Sequence, residues 1–305
     1  MIYTHIALDD SGSASLDCYV LDSAISTGLY KTRPALLIAP GGAYLRLAQK
    51  EAEPVAMRFA GLGFHVFVLR YPTYVLEVPD DGGEPLVDPA SHQPAQTIAT
   101  LRALAFIRTH AAEWDLDASR VYALGFSAGA NVVGLAAEHA RDAELLEAAG
   151  VLESDVQIRG LLLCYPMVSA DILCGYNAEE LDPQRAQYAE LVKRAVFGTG
   201  KPSAEDFARV DLRIHVRPDL PRTFIWQTAE DATVPPAETT ELVLRLQQSG
   251  VPVEYHLFER GPHGMGLADP SGVGRDNEVN PEAAAWVELA AHWLALDAPD
   301  ELSHT

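Results

Sequence analysis

The chain is poor in cysteine, in long hydrophobic runs and in positive charge, and each shortage excludes a class of protein. Its three cysteines, Cys18, Cys164 and Cys174, are too few and too irregularly spaced for a disulfide framework or a zinc site. No apolar stretch approaches the roughly 20 residues that a membrane-spanning helix needs. The segment Met1–Asp10 lacks the basic and apolar regions of a secretory signal, so we expect a cytoplasmic protein.

Positive charge is scarce: 22 Lys and Arg residues stand against 43 Asp and Glu, which leaves a net charge of −21. Such a surface repels phosphate backbones and anionic lipids, so neither nucleic acid nor a membrane is an expected partner. Apolar residues make up 48% of the 305 residues and charged residues 21%, which is typical of a globular chain with a substantial core. We therefore expect a single domain over residues 1–305.

Short apolar runs alternate with helical patterns along the chain. Six runs have the composition of strands: Ala35–Ala39, Phe64–Leu69, Val121–Leu124, Ile158–Tyr165, Thr223–Thr228 and Val253–Phe258. They are apolar almost throughout, as in strands covered on both faces. Amphipathic patterns at Gln96–His110, Pro236–Gln248 and Pro281–Leu296 predict helices. The alternation predicts an α/β fold with a mostly parallel, doubly wound sheet and helices on both faces. Ile2–Leu8 and Ala14–Leu21, with no helix between them, predict an antiparallel edge hairpin.

Two stretches interrupt this alternation. Tyr74–His92 is rich in Pro, Asp and Gly, which predicts a long loop. Met167–Leu220 contains a predicted helix with Asp182 as N-cap and Gly198 just past its end, and a second short helix is predicted to start at Ser203. Both stretches follow strands at the carboxyl edge of the sheet, where open α/β proteins bind ligands. They are either lid or cap insertions, at residues 74–92 and 167–220, or ordinary surface loops.

The most specific motif is Gly-x-Ser-x-Gly at residues 125–129, with Ser127 at its centre. A strand pattern, Val121–Leu124, precedes it, and a helical pattern, Ala130–His139, follows it. This order predicts a nucleophile elbow, in which a strained turn presents the serine hydroxyl above the sheet. The glycines avoid clashes between strand and helix, and the helix N-terminus directs free N–H groups at a developing oxyanion. The alternative interpretation is a glycine-rich turn with a capping serine.

A serine hydroxyl needs a base to take its proton, and after a nucleophile elbow the partners follow in the order acid, then histidine. His263 lies on a loop of small and turn-forming residues after the last predicted strand, so it is the predicted base. His256 is the competitor, but it lies within that strand. Thr223–Thr228 leads into Glu230 and Asp231, and from local pattern either carboxylate can orient the imidazole.

Acyl transfer also requires hydrogen-bond donors for the oxyanion. The strand Ala35–Ala39 leads into Pro-Gly-Gly-Ala-Tyr at residues 40–44, which is similar to the His-Gly-Gly-Gly loop of many esterases. By that similarity Gly42 and Ala43 donate backbone N–H groups, and the N–H of Ala128 completes the oxyanion hole. The alternative is a plain strand-to-loop turn. This chemistry requires no metal ion and no organic cofactor.

Four segments give the chain a family resemblance. They are Pro-Gly-Gly-x-Tyr at 40–44, Gly-Phe-Ser-Ala-Gly at 125–129, Thr-Ala-x-Asp-x-x-Val-Pro at 228–235 and Gly-Pro-His-Gly at 261–264. Together with Glu51–Ala56 they resemble the bacterial acetyl esterases of the α/β-hydrolase superfamily, in the branch of acetyl-xylan and carbohydrate esterases. The resemblance implies the α/β-hydrolase fold and a small acyl pocket, and it favours Asp231 over Glu230. The chain departs from the family pattern at Ala43, which replaces a glycine, and in the length of the 74–92 segment.

The residues and the resemblance together predict a serine hydrolase with Ser127, Asp231 and His263 as its catalytic triad. The expected substrate is a small-molecule ester with a short acyl group, such as an acetylated xylo-oligosaccharide. Tyr44 and Tyr165 either form walls of the acyl pocket or belong to the core. Two rival functions are a peptidase of the prolyl-oligopeptidase type, which carries a β-propeller-sized N-terminal region, and a binding protein on a hydrolase fold, which usually lacks a triad member. No pattern specifies an oligomeric state.

Overall fold

The computed structural model describes residues 1–22, 32–80, 83–176, 180–272 and 274–295. The strands in these ranges are β1 (Ile2–Ala7), β2 (Ser15–Val20), β3 (Arg33–Ala39), β4 (His65–Arg70), β5 (Val75–Glu77), β6 (Leu86–Val87), β7 (Leu116–Phe126), β8 (Gly160–Cys164), β9 (Arg222–Thr228) and β10 (Val253–Phe258). The α-helices are α1 (Glu53–Gly61), α2 (Ala95–Thr109), α3 (Ala128–Glu138), α4 (Ala143–Ala149), α5 (Pro183–Phe197), α6 (Ala204–Arg209), α7 (Pro236–Gln248), α8 (Pro281–Ala284) and α9 (Trp286–Ala295). Not one of these helices is long and apolar enough to cross a membrane.

One large sheet contains all of these strands except β5 and β6. Its order is β1-β2-β4-β3-β7-β8-β9-β10. The pairs β1–β2 and β2–β4 are antiparallel, and every other neighbouring pair is parallel. This confirms the mostly parallel sheet that the sequence predicts, with the N-terminal hairpin at one edge.

Side chains of the parallel strands point alternately to two apolar layers. In β3, Leu37 packs into a layer with helices α2, α3 and α7. Its neighbours Leu36 and Ile38 pack on the other face, where Phe59 of α1 and Trp286 of α9 also lie. Because both faces are covered, the strands are apolar throughout rather than alternating, and this is the pattern visible in the sequence.

The sequence patterns locate most helices but miss some features. The predicted caps of α5 and α6 are present: the Asp182 carboxylate accepts the N–H of Arg185, and Ser203 forms a capping box with Asp206. Helices α1 and α4 were not assigned from the sequence. The helix predicted over Pro281–Leu296 is present as two helices, α8 and α9, which are separated only at Ala285. Position 296 lies outside the described residues.

The Tyr74–His92 stretch is more ordered than the predicted loop. It contains β5 and β6, which pair as a small antiparallel ribbon. The N–H of Val75 also donates to the carbonyl of Leu45 at 2.9 Å, so the ribbon lies against the loop after β3. The loop prediction was therefore wrong for these strand residues, because their backbone groups pair across the ribbon and bond to the loop after β3. Residues 81–82 of the stretch, and 177–179 of the 167–220 stretch, lie outside the described residues.

The parallel strands bring their carboxyl ends to one edge of the sheet. Ala39 pairs with Gly125, Phe126 with Cys164, Cys164 with Trp226, and Thr228 with Phe258. The segments that leave these ends carry every catalytic and oxyanion-hole residue predicted from the sequence, so residues up to 221 positions apart in sequence meet at one edge.

Candidate active site

Ser127 lies on a strained turn between β7 and α3. Its φ is +50° and its ψ −118°, a conformation that non-glycine residues rarely adopt. A Cβ at Gly125 would overlap the carbonyl oxygen of Gly129, and a Cβ at Gly129 would overlap the carbonyl oxygen of Ala39. The close approach of α3 to β7 and β3 therefore requires both glycines. The turn has the geometry of a nucleophile elbow.

Ser127, His263 and Asp231 form one chain of hydrogen bonds. His263 Nε2 lies 2.8 Å from the hydroxyl oxygen of Ser127, and His263 Nδ1 lies 2.7 Å from Asp231 Oδ2. The Asp231 side chain is completely buried, whereas the imidazole is 15% exposed and faces the cavity. With its proton on Nδ1, the imidazole donates to Asp231 and can accept the serine proton at Nε2.

The Asp231 carboxylate is held by backbone donors as well as by the imidazole. Its Oδ1 accepts the N–H groups of Thr233 at 2.9 Å and Val234 at 3.0 Å. Its Oδ2 also lies 3.3 Å from Gln227 Nε2. These contacts allow only one orientation of the carboxylate, in which Oδ2 faces His263.

The competing residues from the sequence point elsewhere. Glu230 Oε2 accepts the N–H of Gly261 at 3.1 Å, so its carboxylate binds the backbone two residues before His263 and does not reach the imidazole. His256 lies in β10 and pairs with Glu254 at 2.8 Å. The structure therefore brings Asp231 and His263, rather than Glu230 or His256, to Ser127.

The loop after β3 has an unusual backbone. Gly42 has φ +128°, Ala43 +56° and Tyr44 +62°, so three successive residues occupy the positive-φ region. A Cβ at Gly42 would overlap the carbonyl oxygen of Arg46, which explains the glycine there. Gly42 and Ala43 line the same cavity as Ser127. We refer to residues 40–44, for which the sequence predicts oxyanion donors, as the oxyanion loop.

Two tyrosines anchor the oxyanion loop from within the core. The hydroxyl of Tyr44 donates to Asn131 Oδ1 of α3 at 2.7 Å, and the hydroxyl of Tyr71 donates to the carbonyl of Pro40 at 2.6 Å. Tyr44 is completely buried, and Tyr165 is 2% exposed. Neither Tyr44 nor Tyr165 lines the cavity, so of the two alternatives drawn from the sequence the core interpretation is correct and the pocket-wall interpretation is wrong.

Glu51 is a buried residue for which the sequence patterns predicted no role. It ends a short 3₁₀ turn, Gln49–Glu51, and is 2% exposed. Its Oε2 accepts the N–H of Gly41 at 2.7 Å, and its Oε1 accepts the hydroxyl proton of Tyr165 at 2.8 Å. Burial raises the pKa of Glu51, and these two hydrogen bonds act in the opposite direction. Its presence in the Glu51–Ala56 motif was the only sequence signal.

A cavity of about 940 Å³ opens above Ser127. Both interrupting stretches contribute to its walls: Val75 and Val78 come from 74–92, and Leu173 and Tyr188 from 167–220. Polar and charged residues also line the cavity, among them Arg46, Gln49, Lys50, Glu51, Arg275 and Glu278. The cavity therefore combines apolar surface with groups that can bind hydroxyls or charges.

The sheet order, the strained serine turn and the cavity at the carboxyl edge define an α/β hydrolase. Residues 87–267, more than half of the chain, match the family described as "alpha/beta hydrolase fold". The chain belongs to this family.

Individual relatives are esterases and carbohydrate-active enzymes. The chain is 30% identical over 239 residues to endo-1,4-beta-xylanase B of Butyrivibrio fibrisolvens, a match that covers 78% of this chain and 33% of that protein. It superposes on the carboxylesterase Cest-2923 of Lactobacillus plantarum WCFS1 with a TM-score of 0.77, 25% identity and coverage of 97% and 98% of the two chains. The acetyl ester-xyloside bifunctional hydrolase of Caldicellulosiruptor lactoaceticus superposes with a TM-score of 0.72, 25% identity and 96% coverage of each chain.

The matches to curated proteins cover only 33%, 51% and 57% of those proteins' lengths. The solved structures, in contrast, are matched over nearly their full chains. The family and the solved relatives support a hydrolase of the carboxylesterase type.

Proposed function

We propose that this chain is a serine-dependent carboxylic ester hydrolase that removes short acyl groups, acetyl above all, from carbohydrates such as xylo-oligosaccharides. The observation that carries the proposal is the hydrogen-bonded chain from Ser127 through His263 to Asp231, with distances of 2.8 and 2.7 Å, beside the oxyanion loop. No metal or organic cofactor takes part in the proposed reaction.

The acylation step follows from this geometry. The Ser127 oxygen attacks the ester carbonyl while His263 Nε2 takes the hydroxyl proton. Asp231 keeps the other imidazole proton on Nδ1 and stabilises the imidazolium that forms. The imidazolium then protonates the leaving alcohol oxygen as the carbon–oxygen bond breaks, and an acyl-enzyme remains.

The negative oxygen of each tetrahedral intermediate needs donors that are already in place. We assign this role to the backbone N–H groups of Gly42, Ala43 and Ala128. Ala128 is the first residue of α3, so its N–H has no partner within the helix and lies at the positive end of the helix dipole. Loss of one such donor typically costs about 10²–10³ in rate. Water, deprotonated by His263, then releases the acid and restores Ser127.

The substrate assignment is supported by the cavity and by the relatives. A volume of about 940 Å³ far exceeds the space needed by an acetyl group, so most of the cavity is free for the alcohol part of the ester. The side chains of Arg46, Gln49 and Tyr188 can donate hydrogen bonds to sugar hydroxyls. One solved relative is named for activity on acetyl esters and xylosides, and a curated relative is named as a xylanase.

A substrate panel tests this proposal. We expect kcat/KM for aryl esters to fall steeply from acetyl to butyryl to octanoyl, and we expect acetate release from acetylated xylo-oligosaccharides. Ser127→Ala is the control for both reactions. Equal or higher rates on octanoyl esters, with no acetate released from the sugars, would contradict the carbohydrate assignment. Cleavage of prolyl peptides in place of esters would support the peptidase instead.

A further inference from the structure

Glu51 is a buried carboxylate behind the oxyanion loop, and the reaction described above gives it no part. It contacts two groups directly: the N–H of Gly41 at 2.7 Å and the hydroxyl of Tyr165 at 2.8 Å. The Tyr165 oxygen in turn accepts the N–H of Gly266 at 2.9 Å. One side chain thus connects the loops that follow β3 and β8 with the turn that follows His263.

Each of these connections ends beside a reacting group. Gly41 immediately precedes Gly42, one of the proposed oxyanion donors. Gly266 follows His263 by three residues, and the ring of Tyr165 meets the imidazole edge to face with 5.0 Å between ring centroids. A displacement of Glu51 would therefore reach both the oxyanion donors and the base.

The chemistry of the side chain indicates more than a packing role. Burying a carboxylate is costly unless it is well hydrogen-bonded, and an apolar side chain of similar volume is often as stable. The neighbouring cation does not compensate the charge by direct contact, since Lys50 Nζ lies 2.7 Å from Glu278 instead. What the carboxylate supplies is two acceptor oxygens in fixed positions, one for Gly41 and one for Tyr165.

The oxyanion loop needs such an anchor. Ala43 and Tyr44 both have positive φ, a conformation that is unfavourable for a residue with a Cβ. The loop's own conformational preference thus favours relaxation away from the observed geometry. The Gly41 peptide is held on both sides, because its N–H donates to Glu51 and its carbonyl accepts the N–H of Ala48 at 2.9 Å.

We propose that Glu51 is a positioning residue for the oxyanion hole, acting through Gly41 and through Tyr165. The proposal rests on the esterase function proposed above. It implies that the loss of Glu51 lowers kcat while KM stays nearly unchanged, because the oxyanion donors act on the transition state rather than on the bound ester.

Three substitutions separate reach, charge and hydrogen bonding. Glu51→Gln keeps the length of the side chain and one carbonyl oxygen, which can still accept from Gly41. Glu51→Asp keeps the charge but withdraws the carboxylate by one methylene, so it cannot reach both partners. Glu51→Leu removes both acceptors. Glu138→Leu is the matched control, because Glu138 is also a buried glutamate but lies at the end of α3 and does not line the cavity.

The measurement is kcat and KM on an aryl acetate, with the folded fraction at the assay temperature taken from circular dichroism. We expect kcat to fall about 100-fold in Glu51→Leu, about 10-fold or more in Glu51→Asp and less than about 5-fold in Glu51→Gln, with KM within about 3-fold of wild type. Glu138→Leu should keep the wild-type kcat per folded molecule.

Three results would overturn the positioning role. The first is a wild-type kcat in both Glu51→Asp and Glu51→Leu. The second is a better kcat in Glu51→Asp than in Glu51→Gln, which would make the charge rather than the reach decisive. The third is a loss of kcat that the decrease in the folded fraction fully explains. If Glu51→Leu does not fold, the kcat of Glu51→Asp compared with that of Glu51→Gln decides between the two outcomes. Failure of the esterase function itself is recognised separately, because the wild type would then not hydrolyse the aryl acetate, or Ser127→Ala would hydrolyse it as fast as the wild type.

Discussion

Replacement of Asp231 by asparagine inverts a hydrogen bond without changing the size of the side chain. In the wild type, Oδ1 accepts two backbone N–H groups, from Thr233 and Val234, and Oδ2 faces His263. The amide oxygen of the asparagine must take the Oδ1 position, because an NH₂ group there would face two donors. The NH₂ group then faces His263 Nδ1, which has to act as an acceptor.

The consequence is the wrong imidazole tautomer. With Nδ1 as acceptor, the ring proton lies on Nε2 and faces the Ser127 hydroxyl at 2.8 Å, so the base can no longer take the serine proton. The same inversion in a serine protease costs about 10⁴ in kcat, which corresponds to about 5 kcal/mol of transition-state stabilisation. We expect a loss of that order for Asp231→Asn.

The assay is steady-state hydrolysis of an aryl acetate, and Glu230→Gln is the matched control. Glu230 accepts one backbone N–H, from Gly261, and a glutamine oxygen can still accept it. We therefore expect Glu230→Gln to lose less than about tenfold in kcat. A larger loss in Glu230→Gln than in Asp231→Asn would refute the reasoning and assign the orienting acid to Glu230.

Two further predictions concern stability. Gly129→Ala should lower Tm by about 5 °C or more, because its Cβ would overlap the carbonyl of Ala39 and overpacking against backbone costs about 3 kcal/mol or more. Gly61→Ala is the control in the same thermal melts. Its Cβ would enter open space, so Tm should stay nearly unchanged. Glu138→Gln should raise Tm at pH 7, because burial raises the pKa of Glu138 well above its usual 4.5, with Arg217 opposing the shift. Since the pKa of Glu138 is higher in the folded than in the unfolded protein, the wild type loses stability as pH rises above about 4.5. The higher Tm of Glu138→Gln should therefore vanish below that pH. A difference in Tm that does not depend on pH would contradict this explanation.

The parts of the fold that local patterns encode could be predicted from the sequence. The elbow around Ser127 was recognisable because a strand, two glycines and a helix follow one another within a few residues. The caps Asp182 and Ser203 were recognisable for the same reason, since each acts on backbone within one turn. The alternation of strands with helices predicted a mostly parallel sheet, but it did not predict the order of the strands.

The parts that depend on distant contacts could not be predicted in this way. Glu230 and Asp231 share one turn, and only the direction of each side chain in the folded chain decides which of them meets His263. The sequence left open whether Tyr165 forms a wall of the pocket or belongs to the core, because its hydroxyl is bound to Glu51, 114 positions away in sequence. The role of Glu51 was missed because no local pattern connects it to either partner.

The most direct test of the central claim is to identify the residue that a fluorophosphonate labels and to measure the Ser127→Ala variant in parallel. We expect a single labelled site, Ser127, in the wild type, no labelling of the variant, and a kcat reduced by several orders of magnitude in a protein of unchanged Tm. Labelling at another residue, or a Ser127→Ala variant that keeps more than about a tenth of the wild-type kcat, would contradict the assignment of Ser127 as the nucleophile.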